Sequence, residues 1–149
     1  MTLDTIHQRL SKNATPIQLP IGFEEAFKGV VDLVRMKAFY FDTDDLGRSV
    51  REAEIPEDMK DQVKKYRDLL VEKVAEYDDG IMNKFLEGQA VDMIELKKAI
   101  RKGVCTGQFF PVMCGSSLKN KGVILIIDAV ADYLPSPLDK PEIKGKDPK

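Results

Sequence analysis

No apolar run in these 149 residues approaches the roughly 18 to 20 needed to cross a bilayer. The longest, Val123 to Leu134, is broken by Asp128 and Asp132. The opening Met1-Thr2-Leu3-Asp4 has neither a basic stretch nor an apolar one, so export is not expected and the setting is read as cytoplasmic. Cysteine is scarce. Cys105 and Cys114 fit no metal spacing and no disulfide framework, and both are expected as reduced, mostly buried thiols. The single histidine, His7, stands beside Gln8 and Arg9 without the second His, Cys or acidic cluster that would make it a ligand. Excess positive charge is missing too: 23 Lys and Arg against 25 Asp and Glu give a net charge of −2 and no electrostatic reason for direct nucleic-acid contact. Finally, Gly-x-x-x-x-Gly-Lys-Ser/Thr occurs nowhere, so no ring of backbone amides is provided to cradle a triphosphate.

What is present describes a soluble α+β chain, with 43% hydrophobic and 32% charged residues, long enough for one core. Ile6 and Leu10 make a short helical stripe over Thr5–Leu10. Pro16 to Gly22 alternates apolar side chains with others, and its prolines confine such a strand to an edge or an end. Phe27–Val31 and Met36–Phe41 read as two strands around a tight turn near Asp32–Val34. Asp42–Gly47 reads as another turn and Ser49–Ile55 as a third strand of the sheet. Ile55-Pro56-Glu57-Asp58 then opens a helix, and Met59, Val63, Tyr66, Leu70, Val74 and Tyr77 predict about six buried turns, broken at Gly80. A short helix with Ile81, Met82, Phe85 and Leu86 should end at Gly88. Asp92, with Glu95 in the capping-box position, should start another ending at Gly103. Phe109 to Cys114 reads as a strand buried on both faces, Gly115 to Gly122 as a loop, and Val123, Ile126, Ile127, Val130 and Leu134 as the stripe of an amphipathic helix stopped by Pro135 and Pro137.

Two constellations bear on function. Cys114-Gly115-Ser116-Ser117-Leu118 is a small-residue loop at the end of a buried strand, where α/β proteins bind nucleotides through backbone amides, although Gly-Ser-Ser alone reads first as a turn. Asn120-Lys121-Gly122-Val123 begins like the guanine-reading Asn-Lys-x-Asp but lacks its Asp, and reads as chance. The second is a row of carboxylates, Asp68, Glu72, Glu76 and Asp79, spaced to share one helix face. On composition alone that is a solvated acidic surface.

Four strings add a family resemblance. Gly115-Ser116-Ser117-Leu118-Lys119-Asn120-Lys121-Gly122-Val123, followed by Tyr133-Leu134-Pro135-Ser136-Pro137, resembles bacterial elongation factor G, a translational GTPase. So do Pro16–Gly22 followed by Phe27–Leu33, Ala75–Asp79 followed by Lys84–Gly88, and Ala99–Gly103, all in order along the chain. The resemblance implies a piece of that family's GTPase domain: residues 1–14 the end of one helix, 15–106 an inserted subdomain, 107–138 the returning final strand, fifth GTPase motif and helix, and 139–149 a linker or tail. The implied fold is α+β, a small mostly antiparallel sheet with three helices joined to a terminal strand-helix piece of a P-loop-type α/β domain. The edges beside the Phe109–Cys114 strand are expected to be unpaired within the chain.

The resemblance also implies roles. The family's fifth motif, Ser-Ala followed by an apolar or lysine residue, stands here as Ser116-Ser117-Leu118, which assigns these residues to the guanine edge; the added Ser117 hydroxyl departs from the pattern. Glu72, Glu76 and Asp79 match acidic positions that meet the C-terminal domain of the ribosomal stalk protein in that family. The intact family member binds and hydrolyses GTP with Mg²⁺ during translocation of tRNA and mRNA. This piece, without phosphate loop or switches, is expected to bind neither nucleotide nor metal and to have no catalytic residue. The expected partner is the ribosome, through its stalk, with no membrane and no direct nucleic-acid contact. Other readings remain open: another ribosome-acting GTPase of the same architecture (a second elongation factor G copy, a ribosomal protection protein or a release-factor GTPase), or a free-standing α+β interaction module.

Overall fold

The computed structural model describes residues 2–42 and 49–139. The expected turn at Asp42–Gly47 therefore lies almost wholly outside the described residues. Helix α1 (Thr2–Arg9) leads to strand β1 (Ala14–Pro16), which pairs in parallel with the late strand β6 (Phe110–Val112). His7 Nε2 lies 2.7 Å from the Ala14 carbonyl oxygen, and the ring tethers helix to strand. Strands β2 (Gln18–Ile21), β3 (Gly29–Asp32), β4 (Lys37–Phe41) and β5 (Val50–Ala53) form an antiparallel sheet in that spatial order. Pro16–Gly22 is thus divided between two sheets, and Pro20 sits on edge strand β2, where a missing N–H costs no ladder bond.

Turn formation between β3 and β4 follows from Asp32. Its carboxylate accepts from the Val34 and Arg35 amides at 2.8 and 2.9 Å, and the Met36 amide donates to the Asp32 carbonyl. Burial pushes the Asp32 carboxyl above its ordinary range, and these two amides and the Arg35 charge oppose it.

Alternation along the strands gives the sheet two different faces. Leu19, Val31 and Ala38 are neighbours on one face and join a core with Val63, Leu70 and Val74 of α2 (Lys60–Ala75), and Leu96 and Ile100 of α4 (Met93–Cys105). Val30, Phe39 and Phe41 face the other way and pack with Phe27 and with Leu125 of α5 (Val123–Tyr133). Arg67 staples the first layer together. Its guanidinium donates to the Leu33 carbonyl at 2.7 Å and to the Val91 carbonyl at 3.1 Å, joining α2 to two separate loops.

Several helix limits differ from the sequence expectation. A 3₁₀ turn (Glu57–Met59) precedes α2, which ends at Ala75, short of the six turns expected to Tyr77. Gly80 is no breaker; it lies inside α3 (Asp79–Leu86), because the Asp78 carboxylate accepts from the Gly80 and Ile81 amides and starts a new helix there. Gly103 does not end α4 either. The terminator is Gly107 at φ 71°, whose amide donates to the Val104 carbonyl while Gln108 donates to the Gly103 carbonyl, a Schellman closure. The Asp92–Glu95 capping box forms as expected.

Burial corrects three further expectations. Phe109 is fully buried, but β6 is three residues long and Phe110 is 46% exposed, so this strand is not covered on both faces. Contrary to the expectation that both edges of this strand would be unpaired within the chain, one is paired by β1; among the described residues the other has no partner strand. The α5 stripe faces out: Ile126, Ile127, Val130 and Leu134 are exposed, and the buried residues of that helix are Leu125 and Tyr133. Leu10 is exposed as well, and Cys105 is an exposed thiol rather than a buried one.

Candidate functional site

The chain leaves β6 through Met113 and Cys114, half-buried residues against the second core cluster, and burial pushes the Cys114 thiol up to about 11. Gly115 follows at a close approach: a Cβ there would lie 2.8 Å from the Lys121 carbonyl oxygen, so a side chain would force the loop apart. Ser116 and Lys121 then exchange reciprocal backbone bonds, Ser116 N–H to Lys121 O at 2.8 Å and Lys121 N–H to Ser116 O at 2.9 Å. Inside that closure the Asn120 amide donates to the Ser117 carbonyl at 3.1 Å, with Asn120 in the left-handed region at φ 51°. Gly122, at φ 85°, starts α5.

This geometry separates the three residues assigned to the guanine edge. The Ser116 amide is engaged within the loop. Ser117 and Leu118 donate their amides to nothing among the described residues, and both are exposed, Leu118 at 95%. A turn closed at its base with two open donors at its tip offers an acceptor oxygen a place to bind. It sits just past the carboxyl end of a parallel strand.

The acidic row is arranged differently from the single helix face expected. Asp68 and Glu72 lie on α2, Glu76 is its C-terminal cap residue, and Asp79 begins α3. All four are exposed. Glu76 is engaged by Lys73 at 2.8 Å across the last turn, a half-exposed pair, and Glu72 carries no ion pair among the described residues. Among the described residues no three His, Cys, Asp or Glu side chains are grouped to hold a metal ion.

Sequence reasoning passed over two residues. Lys121 is buried at 6% exposure with its ammonium on the Phe27 carbonyl at 3.0 Å, and Arg67 carries the staple described above. Both act on carbonyl oxygens far away in sequence, which no local pattern announces.

No family model matches the chain. A crystal structure of a protein from Thermus thermophilus is similar to it, with 29% sequence identity and a TM-score of 0.77 over 92% of this chain. The likeness covers 20% of that protein, so this chain spans about a fifth of its length. The likeness shows a shared fold, which among the described residues of this chain is an α+β arrangement with a small antiparallel sheet, five α-helices and a parallel strand pair. No helix among the described residues is long and apolar enough to cross a membrane.

Proposed function

We propose that this chain is part of a cytoplasmic, ribosome-acting translational GTPase of the elongation factor G type. In this reading it supplies two recognition surfaces: a guanine-edge element at Ser116–Leu118 and a stalk-binding face at Glu72, Glu76 and Asp79. The observation that carries the reading is the loop after β6, where the Ser117 and Leu118 amides have no acceptor among the described residues. Guanine presents an acceptor oxygen where adenine presents an amino donor, so a fixed backbone N–H accepts one base and rejects the other.

The residues present fit the base edge of GTP or GDP and no more. A phosphate-cradling loop is missing from the sequence, so triphosphate and Mg²⁺ would be held by residues outside it, and hydrolysis belongs to those residues. The acidic face suits a basic partner surface, acting by steering and orientation more than by affinity. With a net charge of −2, direct nucleic-acid contact is not part of the reading.

Titrating the C-terminal domain of the ribosomal stalk protein into this chain tests the second surface. Binding should weaken as salt rises, and the double reversal Glu72→Lys/Glu76→Lys should weaken it by about tenfold or more and flatten the salt dependence. Unchanged affinity and salt dependence in the reversed variant would remove the acidic face from the proposal.

A further inference from the structure

We infer that Lys121 is a positioning residue that ties the loop presenting Ser117 and Leu118 to the segment leading into β3 of the four-stranded sheet. The tie is argued from geometry; its purpose rests on the nucleotide reading above. Lysine is seldom fully buried, because an ammonium taken out of water loses more than a neutral acceptor returns. Here the residue is 6% exposed, makes no ion pair among the described residues, and donates from Nζ to the Phe27 carbonyl, 94 positions away, at 3.0 Å. Such a placement persists only where the surroundings hold it.

The surroundings on both sides can be named. Phe27 belongs to the cluster of Val30, Phe39, Phe41 and Leu125 on the second face of the sheet. On the loop side, the backbone of the same lysine closes the turn through its two bonds with Ser116. Gly122 packs beside it, with a Cβ position 3.6 Å from Phe41 Cζ. One residue thus joins the loop, by its backbone, to the chain entering β3, by its side chain, and the Phe27 ring of that segment packs on the sheet. Ser117 follows Ser116 directly, so the peptide plane carrying the free amide inherits its orientation from that closure. The loop's own backbone bonds close it, and the Lys121 side chain fixes that closed loop against the segment that leads into the sheet.

Lys121→Met keeps the buried stem and removes the donor. In that variant the amides at 116 and 121 should exchange with solvent about tenfold faster, the change expected for losing one charge-assisted hydrogen bond. The Ser117 amide resonance should move, while exchange in α2 and α4 stays as in the parent, and Lys121→Arg should restore both readouts. Unaltered exchange at 116 and 121 in a folded Lys121→Met protein would overturn the inference. Should that variant fail to fold, the parent protein still decides. A slowly exchanging Lys121 ammonium coupled through the hydrogen bond to the Phe27 carbonyl supports the tie, and a solvent-like ammonium without coupling refutes it. Guanosine and adenosine at millimolar concentration separate the two claims. If guanosine leaves the Ser117 amide untouched while Lys121→Met still opens the loop, the nucleotide reading fails and the tie stands.

Discussion

Replacing Gly103 by alanine should destabilise the protein, although the ordinary rule says the reverse. Glycine inside a helix is worth about 0.5–1 kcal/mol less than alanine, and Gly103 lies inside α4. Its environment changes the sign. A Cβ at this position would stand 2.8 Å from Phe109 Cβ and 3.3 Å from Tyr77 Cδ2. Phe109 is 1% exposed, and its Cβ is attached to the backbone, so it cannot swing aside as a side-chain tip would. The Tyr77 hydroxyl donates to the Gln108 carbonyl at 2.9 Å, and its ring meets Phe109 edge-on at a centroid distance of 6.4 Å, which fixes the second wall. Overpacking of this kind costs about 1–3 kcal/mol. Subtracting the helix gain from the middle of that range leaves a net loss of about 1 kcal/mol. At about 2–4 °C per kcal/mol for a chain of this size, Tm should fall by about 2–4 °C, and the urea midpoint should fall with an unchanged slope. A higher Tm for Gly103→Ala would refute the reasoning, because it would mean that the chain between α4 and β6 yields freely.

Two further perturbations test other parts of the structure. With one thiol exposed and the other held up to about 11 by burial, a disulfide exchange reagent at about pH 8 should label Cys105 quickly and Cys114 only after unfolding; two equally fast equivalents would contradict this. Arg67→Met removes the staple on the Leu33, Val34 and Val91 carbonyls and should cost about 1.5–3 kcal/mol in urea denaturation, whereas a neutral result would show that water replaces the guanidinium at no loss.

The parts of the fold written in local chemistry were legible from the sequence. Asp92 and Glu95 announce a helix start through a reciprocal pair of bonds that needs only four residues, and the structure forms it. The prolines of Pro16–Ile21 announce an edge, and β2 lies on one. Helix ends are less legible, because glycine as a residue type does not by itself say whether a helix stops there. Gly80 and Gly103 lie inside helices since Asp78 caps the start of one and Gly107 closes the other, and neither reason lies in the glycine itself. Long-range partners were beyond local reading altogether. Arg67 reaches a carbonyl 34 positions back and Lys121 one 94 positions back, and nothing near either residue marks its acceptor. At the loop, residue types gave the right string, but which amide is free depends on the Ser116–Lys121 closure, a property of the folded backbone.

Helix α5 shows why periodicity identifies a stripe without saying what covers it. Ile126, Ile127, Val130 and Leu134 are 41%, 62%, 50% and 47% exposed, although their spacing is that of a buried face. Nearby elements share the same incompleteness: β6 has one partner strand among the described residues, Phe110 is 46% exposed and Leu10 82%. The sheet β2–β5 differs, since both its faces carry buried clusters, the second one completed by Leu125 of α5. Open strand edges and contiguous apolar surface favour association, and natural proteins cover or blunt them. The outer surface of α1, β6 and α5 thus calls for a covering surface, while the sheet is covered by α2 and α4 on one face and in part by Leu125 of α5 on the other. In the proposed reading that surface is the remainder of a GTPase domain, and the Ser116–Lys121 loop lies beside α5, whose inner residues Leu125 and Tyr133 are buried while its outer stripe is exposed.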